Sequence, residues 1–310
     1  MLTEILLLIA GLVLVLAGAD ALVEGASGIA RKAGIGEFVI GMTVVAFGTS
    51  APEMVVSFIS SAQGRADMAV GNIVGSNIFN TAFVLGITAL ICPVTVTRTN
   101  MRRDMPMNVV STLLLILASV GGVMDRADGG LLLVVFAVYM WTAFRSGDRE
   151  DEQQDVHGDD VTWVAVARTL AGLAALVVGG HMFVGGAEDL AARLGMSDKL
   201  IGVTVLAFGT SLPELATSIV AAVKGKSQMA LGNVLGSNVF NILLILGGAA
   251  LIRPLAISGI GWVDFTAVLL CSLAVPACAA AGSKGSIHVW SGIALLLIGT
   301  AYMAYLCMTA

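Results

Sequence analysis

Charged side chains are scarce in this chain of 310 residues: Asp, Glu, Lys and Arg together make up 12% of it, whereas 57% is hydrophobic. So few charges could not cover the surface of a water-soluble protein of this size. The composition therefore excludes a soluble globular protein. It predicts an integral membrane protein whose surface contacts membrane lipid.

Cysteine and histidine are also rare, with four and three residues respectively. Their positions are scattered and show no metal-ligand spacing: Cys92, Cys271, Cys278, Cys307, His157, His181 and His288. Softer transition metals favour Cys and His ligands, so this pattern disfavours a transition-metal site. We expect no resident cofactor, no nucleic-acid partner and no obligate protein partner.

Long apolar runs are abundant instead. A membrane-spanning helix needs roughly 20 apolar residues, and ten runs of about this length are present. Because the runs are continuous rather than alternating with a period of two, they predict helices and not strands. The predicted fold is an all-α membrane protein with ten transmembrane helices, at residues 2–23, 37–62, 67–91, 105–123, 129–144, 162–190, 199–223, 228–252, 262–281 and 287–307.

Two motifs of the chain occur twice. AFGTSAPE at residues 46–53 recurs as AFGTSLPE at residues 207–214, and GNIVGSN at 71–77 recurs as GNVLGSN at 232–238. The offset is 161 in both cases, since 207 − 46 = 161 and 232 − 71 = 161. A repeat of this length indicates a duplicated unit.

The duplicated segments, residues 40–93 and 201–254, align without a gap and lie in two halves of the chain. The predicted domains are residues 1–146 and 161–310, joined by an acidic linker at residues 147–160. Each half contains five predicted spans, so the second half enters the membrane from the opposite side. Inverted repeats of this kind are frequent in secondary transporters, with broken helices and the substrate near the bilayer midplane.

Basic residues in the loops predict the orientation, because short cytoplasmic loops are enriched in Lys and Arg. An extracytoplasmic N-terminus places ten of them inside: Arg31, Lys32, Arg98, Arg102, Arg103, Arg145, Arg149, Lys224, Lys226 and Lys284. It places five outside: Arg65, Arg126, Arg193, Lys199 and Arg253. Both termini are then extracytoplasmic, the linker is cytoplasmic, and a prokaryotic inner or plasma membrane is the expected location.

Glu53 and Glu214 are the only charged residues within residues 38–63 and 200–223, and each lies mid-run. On insertion scales, a charged side chain at the bilayer centre costs about 2.5 to 3.5 kcal/mol. A protonated glutamic acid that only joins two helices by hydrogen bonds is the structural alternative. Two glutamates at equivalent positions of an inverted repeat favour a cation site.

The residues before each glutamate predict a broken helix. Pro52 and Pro213 lack the N–H that a helix needs, so carbonyls near Ala46 to Thr49 and near Ala207 to Thr210 are expected to lose helical partners. In lipid these carbonyls require another partner, and a bound cation can supply it.

Amides and hydroxyls follow each glutamate with a spacing of four residues, which places them on one helical face. The candidate ligands among them are Ser76, Asn80, Ser237 and Asn241. For four further amides, hydrogen bonding between helices and ion binding are equally good interpretations: Asn72, Asn77, Asn233 and Asn238. All candidate ligand atoms are oxygens, which suit hard cations such as Ca²⁺ and Na⁺.

The doubled GTSxPE and GNxxGSN motifs, together with the ten predicted spans, resemble the cation/calcium exchanger superfamily, specifically its prokaryotic sodium/calcium exchangers. The resemblance covers essentially the whole chain. It implies an antiporter, not an enzyme, that exchanges Na⁺ for Ca²⁺ by alternating access, with spans one and six as gates.

The resemblance also implies ligand sets. Ca²⁺ would bind Glu53, Glu214 and the carbonyls of Thr49 and Thr210. Na⁺ would bind flanking sites formed by the Ala46 carbonyl, Thr49, Ser50, Ser76 and Glu53, and by the Ala207 carbonyl, Thr210, Ser211, Ser237 and Glu214.

One position departs from part of that family. Some members carry Asp where this chain has Asn241, so the middle pair, Asn80 and Asn241, is neutral here. If the family's Asp is neutral during transport, exchange should survive; if its charge matters, stoichiometry or cation preference should differ. Two carboxylates give a site charge of about −2, so three Na⁺ would leave about +1 and exchange against one Ca²⁺ would move net charge.

Three alternatives remain open at the level of sequence. A proton/calcium exchanger would use the same glutamates as proton carriers. An intramembrane enzyme acting on lipid phosphates would need basic residues at membrane depth, and no Lys or Arg lies near either glutamate in sequence. A channel would share the ligands without obligatory counter-transport.

Overall fold

The computed structural model describes residues 2–145, 162–194, 207–282 and 285–309. The predicted linker, residues 147–160, and the first part of the predicted seventh span, residues 199–206, lie outside the described residues. Lys199 and Lys284, both used in the orientation prediction, lie outside them as well.

The first half consists of helices with π-helical stretches between some of them. The helices are α1 (Leu2–Ala33), α2 (Glu37–Ile40), α3 (Ala46–Thr49), α4 (Ala51–Ala62), α5 (Ala66–Phe79), α6 (Gly86–Ile91), α7 (Met105–Ser119) and α8 (Arg126–Arg145). The π-helical stretches are Gly41–Val45, Asn80–Leu85 and Asn100–Asp104, and two short strands are β1 (Val94–Thr95) and β2 (Val123–Met124).

The second half has matching elements. Its helices are α9 (Thr162–Arg193), α10 (Ala207–Thr210), α11 (Leu212–Val223), α12 (Ser227–Val239), α13 (Gly247–Ile252), α14 (Trp262–Ala281) and α15 (Val289–Thr309). A π-helical stretch covers Phe240–Leu246, and the strands are β3 (Leu255–Ala256) and β4 (Ser286–Ile287). The offset of 161 recurs in the bounds, since α4 and α11 begin at 51 and 212 and end at 62 and 223.

The chain is an all-helical membrane protein. Seven described helices are long and apolar enough to cross a membrane, and the bent pair Glu37–Thr49 with Ala51–Ala62 makes an eighth candidate. Two of the ten predicted spans are not among these eight. One is the predicted span 105–123, which contains the 15-residue α-helix α7. The other, residues 199–223, lies partly outside the described residues.

Helices α1 and α9 form a long antiparallel pair with backbones in direct contact. Glycines allow this approach: a Cβ on Gly18 would lie 2.8 Å from the backbone nitrogen of Leu176, and one on Gly172 would lie 2.5 Å from that of Leu22. Without side chains at these positions the helices pack closely, as small residues allow in membrane proteins. Gly18 and Gly172 are therefore close-packing residues of this helix pair.

Among the helices in the described part of the chain, α12 is the most buried, since every residue in it except Gln228 is buried. It packs against α11 of its own half and against α2 and the stretch Gly41–Val45 of the other half. The two halves therefore meet around α12, next to the breaks that precede the glutamates.

The loops gather at two ends of the bundle. At one end β1 pairs with β4, and the Thr95 hydroxyl lies 2.8 Å from that of Ser227. At the other end β2 pairs with β3, and Asp67 accepts hydrogen bonds from Ser258 and from the Gly259 backbone. Each end combines loops that the distribution of basic residues predicts on one side of the membrane.

Candidate cation-binding site

Both bent helices break just before their glutamates. α3 ends at Thr49, Ser50 has φ −81° and ψ 6°, and α4 begins at the next residue with Pro52 in its first turn. The missing N–H of a proline is tolerated in a first turn, because that N–H has no helical acceptor there. The second half repeats the break at Ser211, with φ −91° and ψ 9°, and Pro213 occupies the first turn of α11.

The carbonyl of Ala46 keeps a helical partner, contrary to the sequence prediction. It accepts the backbone N–H of Ser50 at 3.0 Å and the hydroxyl of Thr49 at 3.3 Å. A cation at this oxygen would therefore share it with existing hydrogen bonds. Its counterpart Ala207 is the first residue of α10, and the residues just before it lie outside the described ranges. The surroundings of Ala207 are therefore only partly described.

Glu53 and Glu214 are both completely buried. The Ser50 hydroxyl donates to Glu214 Oε1 at 3.0 Å, and the Ser211 hydroxyl donates to Glu53 Oε1 at 3.2 Å. Each serine thus reaches across to the glutamate of the other half. These crossed hydrogen bonds join the two halves at the two carboxylates.

The second oxygen of each carboxylate accepts no hydrogen bond within the described part of the chain and could bind a cation. Glu53 Oε2 and Glu214 Oε2 are buried and have no hydrogen-bond partner among the described residues. Neither glutamate belongs to an ion pair within the described ranges. Burying an ionised carboxylate costs several kcal/mol unless a counter-charge compensates it, so two such groups together favour a bound cation.

Other predicted ligands surround the carboxylates unequally. The Ser76 hydroxyl donates to Glu53 Oε1 at 3.4 Å. The equivalent Ser237 hydroxyl, the Thr210 hydroxyl and both polar atoms of Asn80 are buried without a partner among the described residues. Asn241 donates from Nδ2 to Asn77 at 2.9 Å, and its Oδ1 remains without a partner in the described part of the chain.

Asn72 and Asn233 hold the glutamate helices in place in the same way in both halves. Asn72 Nδ2 donates to the Glu53 carbonyl at 3.3 Å and to Ser57 Oγ at 3.0 Å. Asn233 Nδ2 donates to the Glu214 carbonyl at 3.3 Å and to Ser218 Oγ at 2.9 Å. For these two amides the structure shows interhelical hydrogen bonds.

Ser57 and Ser218 were missed in the sequence, although 218 − 57 = 161 and both are serines. The repeat offset therefore carried the signal that could have identified them.

Asn77 and Asn238 also join the halves. Asn77 Nδ2 donates to the Asn238 carbonyl at 3.1 Å, and Asn238 Nδ2 donates to the Thr81 hydroxyl at 2.9 Å. Asn80 begins the π-helical stretch Asn80–Leu85, and Asn241 lies in the stretch Phe240–Leu246. Single π-helical turns inside α-helices occur frequently at functional sites. A role of this middle pair in ion binding stays a prediction.

One hydrogen bond breaks the symmetry. The Thr49 hydroxyl lies 3.2 Å from Asn233 Oδ1 and donates to it. The related bond, from Thr210 to Asn72, is not formed, because the Thr210 hydroxyl has no partner among the described residues. Asn233 therefore links a predicted ligand of one half to the glutamate of the other half, whereas Asn72 contacts only its own half.

We expect Asn233→Ala and Thr49→Val to be energetically coupled. Each single substitution should weaken Ca²⁺ binding about tenfold, because an unsatisfied buried group costs roughly 1 to 3 kcal/mol and about 1.4 kcal/mol is tenfold in affinity. The double variant should lose less than the sum, with a coupling of about 0.5 to 3 kcal/mol. Isothermal titration calorimetry of Ca²⁺ binding measures all three.

The matched control is Asn72→Ala with Thr210→Val, whose side chains are not bonded to each other. Their effects should add to within about 0.5 kcal/mol. Equal coupling in both pairs would contradict the assigned asymmetry.

Comparison with known proteins identifies relatives along nearly the whole chain. Residues 3–145 and 164–308 match the family model described as sodium/calcium exchanger protein. The sodium/calcium exchanger MaX1 of Methanosarcina acetivorans is 30% identical over 345 aligned positions, which cover 97% of each chain. CaxA of Alkalimonas amylolytica, whose designation as an antiporter is provisional, is 43% identical over 262 residues, or 82% of each chain.

A solved structure has the same fold. The sodium-calcium exchanger NCX_Mj, soaked with zero Na⁺ and Ca²⁺, superimposes with a TM-score of 0.88 and 31% sequence identity. The match covers 98% of this chain and 99% of that one. The similarity therefore extends over both halves of the chain.

Proposed function

The chain belongs to the sodium/calcium exchanger protein family, and from this membership we propose that it exchanges Na⁺ for Ca²⁺ by alternating access at one shared site. It is a multi-pass membrane protein and a transporter rather than an enzyme. Exchange of a cation against Ca²⁺ follows from the family. The proposal concerns Na⁺ as the driving ion, the ligands and the architecture.

The carboxylate pair is the observation that carries the proposal. Glu53 and Glu214 come from different halves, are completely buried and each retain an oxygen without a hydrogen-bond partner among the described residues. Ca²⁺ is proposed to bind these carboxylates and the carbonyls of Thr49 and Thr210. Oxygen ligands of this kind are those that Ca²⁺ prefers.

Na⁺ is proposed to bind on both sides of the Ca²⁺ position through ligands that overlap with it. On one side these are the Ala46 carbonyl, Thr49, Ser50, Ser76 and Glu53, and on the other the Ala207 carbonyl, Thr210, Ser211, Ser237 and Glu214. Asn80 and Asn241 form the neutral middle of the site. Because Na⁺ and Ca²⁺ share both glutamates, they compete, and competition makes transport an exchange.

The proposed architecture has ten spans in two inverted halves, residues 1–146 and 161–310, with residues 147–160 as a cytoplasmic linker. The matching bounds of α4 and α11 and the crossed contacts of Ser50 and Ser211 support two related halves around one site. The excess of basic residues in one set of loops supports extracytoplasmic termini.

Net charge movement follows from the proposed ligands. Two carboxylates carry a charge of about −2, which one Ca²⁺ balances and three Na⁺ exceed by about one. Three-for-one exchange would therefore be electrogenic, as the family resemblance implies.

We expect Ca²⁺ uptake into proteoliposomes when an outward Na⁺ gradient is imposed, and not when an equal K⁺ or choline gradient replaces it. The reason is that only Na⁺ competes for the shared oxygen ligands. Radioactive Ca²⁺ accumulation, measured with each gradient and with a pH gradient, tests this directly. Uptake driven by the pH gradient alone would show that H⁺, and not Na⁺, is the coupled ion. Uptake in every condition would indicate a channel.

A further inference from the structure

Two lysines at one end of the bundle hold α1 by polar contacts. Lys224, just after α11, lies 2.7 Å from Asp20 Oδ1 and 2.7 Å from Glu24 Oε1. Lys226 donates to the Ser27 hydroxyl at 2.6 Å and lies 3.9 Å from Glu24 Oε1. All three partners lie on α1, so four polar contacts attach this turn to α1.

Lys224 stays charged in this position. Burial lowers the pKa of Lys224, but its hydrogen bonds to Asp20 and Glu24 outweigh the effect and raise that pKa above its ordinary value. The contact is therefore electrostatic at neutral pH.

An apolar contact continues from these lysines toward the site. α1 packs along α11, and Ala19, Val23 and Ala26 of α1 belong to the same buried apolar cluster as Ala216 and Ala221 of α11. α11 begins with the segment that carries Glu214. In this conformation α1 therefore packs along the helix that carries Glu214.

The related contact at the opposite end is not formed. The repeat offset relates Ser27 to Glu188, since 27 + 161 = 188, and Lys226 to Arg65, since 226 − 161 = 65. Within the described ranges Arg65 and Glu188 form no ion pair, and α9 does not pack along α4 as α1 packs along α11. Of the four contacts made by the two lysines, this is the one whose related positions carry opposite charges. The other three relate to Gln63 with His181, Gln63 with Gly185 and Arg65 with Gly185.

We propose that Lys224 and Lys226 form a latch that holds the present conformation, and that Arg65 and Glu188 form the latch of the opposite conformation, in which α9 packs along α4. This inference rests on the proposed alternating access. Exchange of latches explains how one set of polar contacts replaces another when the paired helices α1 and α9 change position. Each latch holds one end closed while the site is open to the other.

Paired cysteines test the second latch. In a background with the four native cysteines replaced by alanine, Arg65→Cys with Glu188→Cys should be joined by a short bifunctional thiol reagent. The reaction should become several times faster when Lys224→Ala and Lys226→Ala are added, because loss of the first latch populates the opposite conformation. Crosslinking should also stop Ca²⁺ exchange.

The control pair is Arg65→Cys with Asp189→Cys. Asp189 follows Glu188 and, with 3.6 residues per turn, points about 100° away around α9, so this pair should react much more slowly. Asp20→Asn with Glu24→Gln releases the first latch from its α1 side and should accelerate the Arg65/Glu188 reaction as the lysine substitutions do.

Two results would overturn the latch. One is a reaction of the Arg65/Glu188 pair no faster than the control in protein that still exchanges Ca²⁺. The other is a reaction rate that neither the lysine nor the carboxylate substitutions change. The crosslinking test does not depend on the coupled ion, so H⁺-driven exchange would refute the proposed Na⁺ coupling and leave the latch to be judged by its own result.

Discussion

Replacing either Glu53 or Glu214 with Gln is expected to abolish Ca²⁺ exchange. Each substitution keeps the size of the side chain and removes one of the two negative charges of the site. Because the number of charged ligands tunes Ca²⁺ affinity over several orders of magnitude, we expect Ca²⁺ uptake to fall by at least about 100-fold. Proteoliposome uptake and calorimetric Ca²⁺ binding measure the loss.

The same substitutions should leave the fold intact. Both carboxylates are completely buried, and an uncompensated buried charge costs several kcal/mol. In the absence of ions, Glu53→Gln and Glu214→Gln should therefore unfold at or above the temperature of the unsubstituted protein. Stabilisation by added Ca²⁺, a consequence of binding to the folded state, should disappear in both.

Asp189→Asn is the matched control for this loss. It also neutralises one carboxylate, but Asp189 lies exposed on α9, and we expect normal uptake. Equal effects of Glu53→Gln and Glu214→Gln are part of the prediction, since the two halves contribute one carboxylate each. Normal uptake by either variant would refute the proposed ligand set.

Gly236→Ala is expected to lower both stability and Ca²⁺ exchange. A Cβ at this position would lie 2.5 Å from the carbonyl oxygen of Met42 and 2.8 Å from the Cβ of Ala46. The contact joins α12 to the segment that leads into the first broken helix. Such overpacking typically costs about 1 to 3 kcal/mol, and the displaced segment carries the proposed ligands Ala46 and Thr49.

Two measurements check the effect of Gly236→Ala. Thermal unfolding in detergent should show lower stability, and Ca²⁺ uptake should fall even at temperatures where the variant remains folded. Gly130→Ala is the matched control: this glycine lies within α8, and a Cβ there would meet nothing within 4 Å. Since Ala is favoured over Gly in a helix by up to about 1 kcal/mol, the control should be slightly stabilised. Similar loss in both variants would show that helix flexibility, not contact, accounts for the effect.

Much of the helical framework could be predicted because its signals are local or repeated. Long apolar runs predicted the helices, and the shortest of them, at 129–144, lies within a helix of 20 residues from Arg126 to Arg145. The short strands at the loop ends were not predicted, since two-residue pairs such as β1 with β4 depend on segments far apart in sequence. The partner that Ala46 keeps was also missed, because a proline predicts a break but not the hydrogen bonds that survive beside it.

The sequence by itself determined that this is a helical membrane protein with two related halves, and it singled out the glutamate in each. Composition, run length and an offset of 161 depend only on the identity and order of the residues, so they can be read without coordinates. The tertiary structure decided which groups meet. Ser50 and Glu214 are 164 residues apart, and Ser211 and Glu53 are 158 apart.

The tertiary structure also decided where equivalent residues of the two halves make different contacts. The Thr49 hydroxyl donates to Asn233, whereas the Thr210 hydroxyl has no partner among the described residues. Lys226 donates to Ser27 of α1, whereas Arg65 forms no ion pair with α9 within the described ranges. The two segments share one sequence pattern, so local propensity does not predict these differences. They differ because packing places one of the paired helices against its neighbour and leaves the other apart, and only the arrangement of the whole bundle in space determines which.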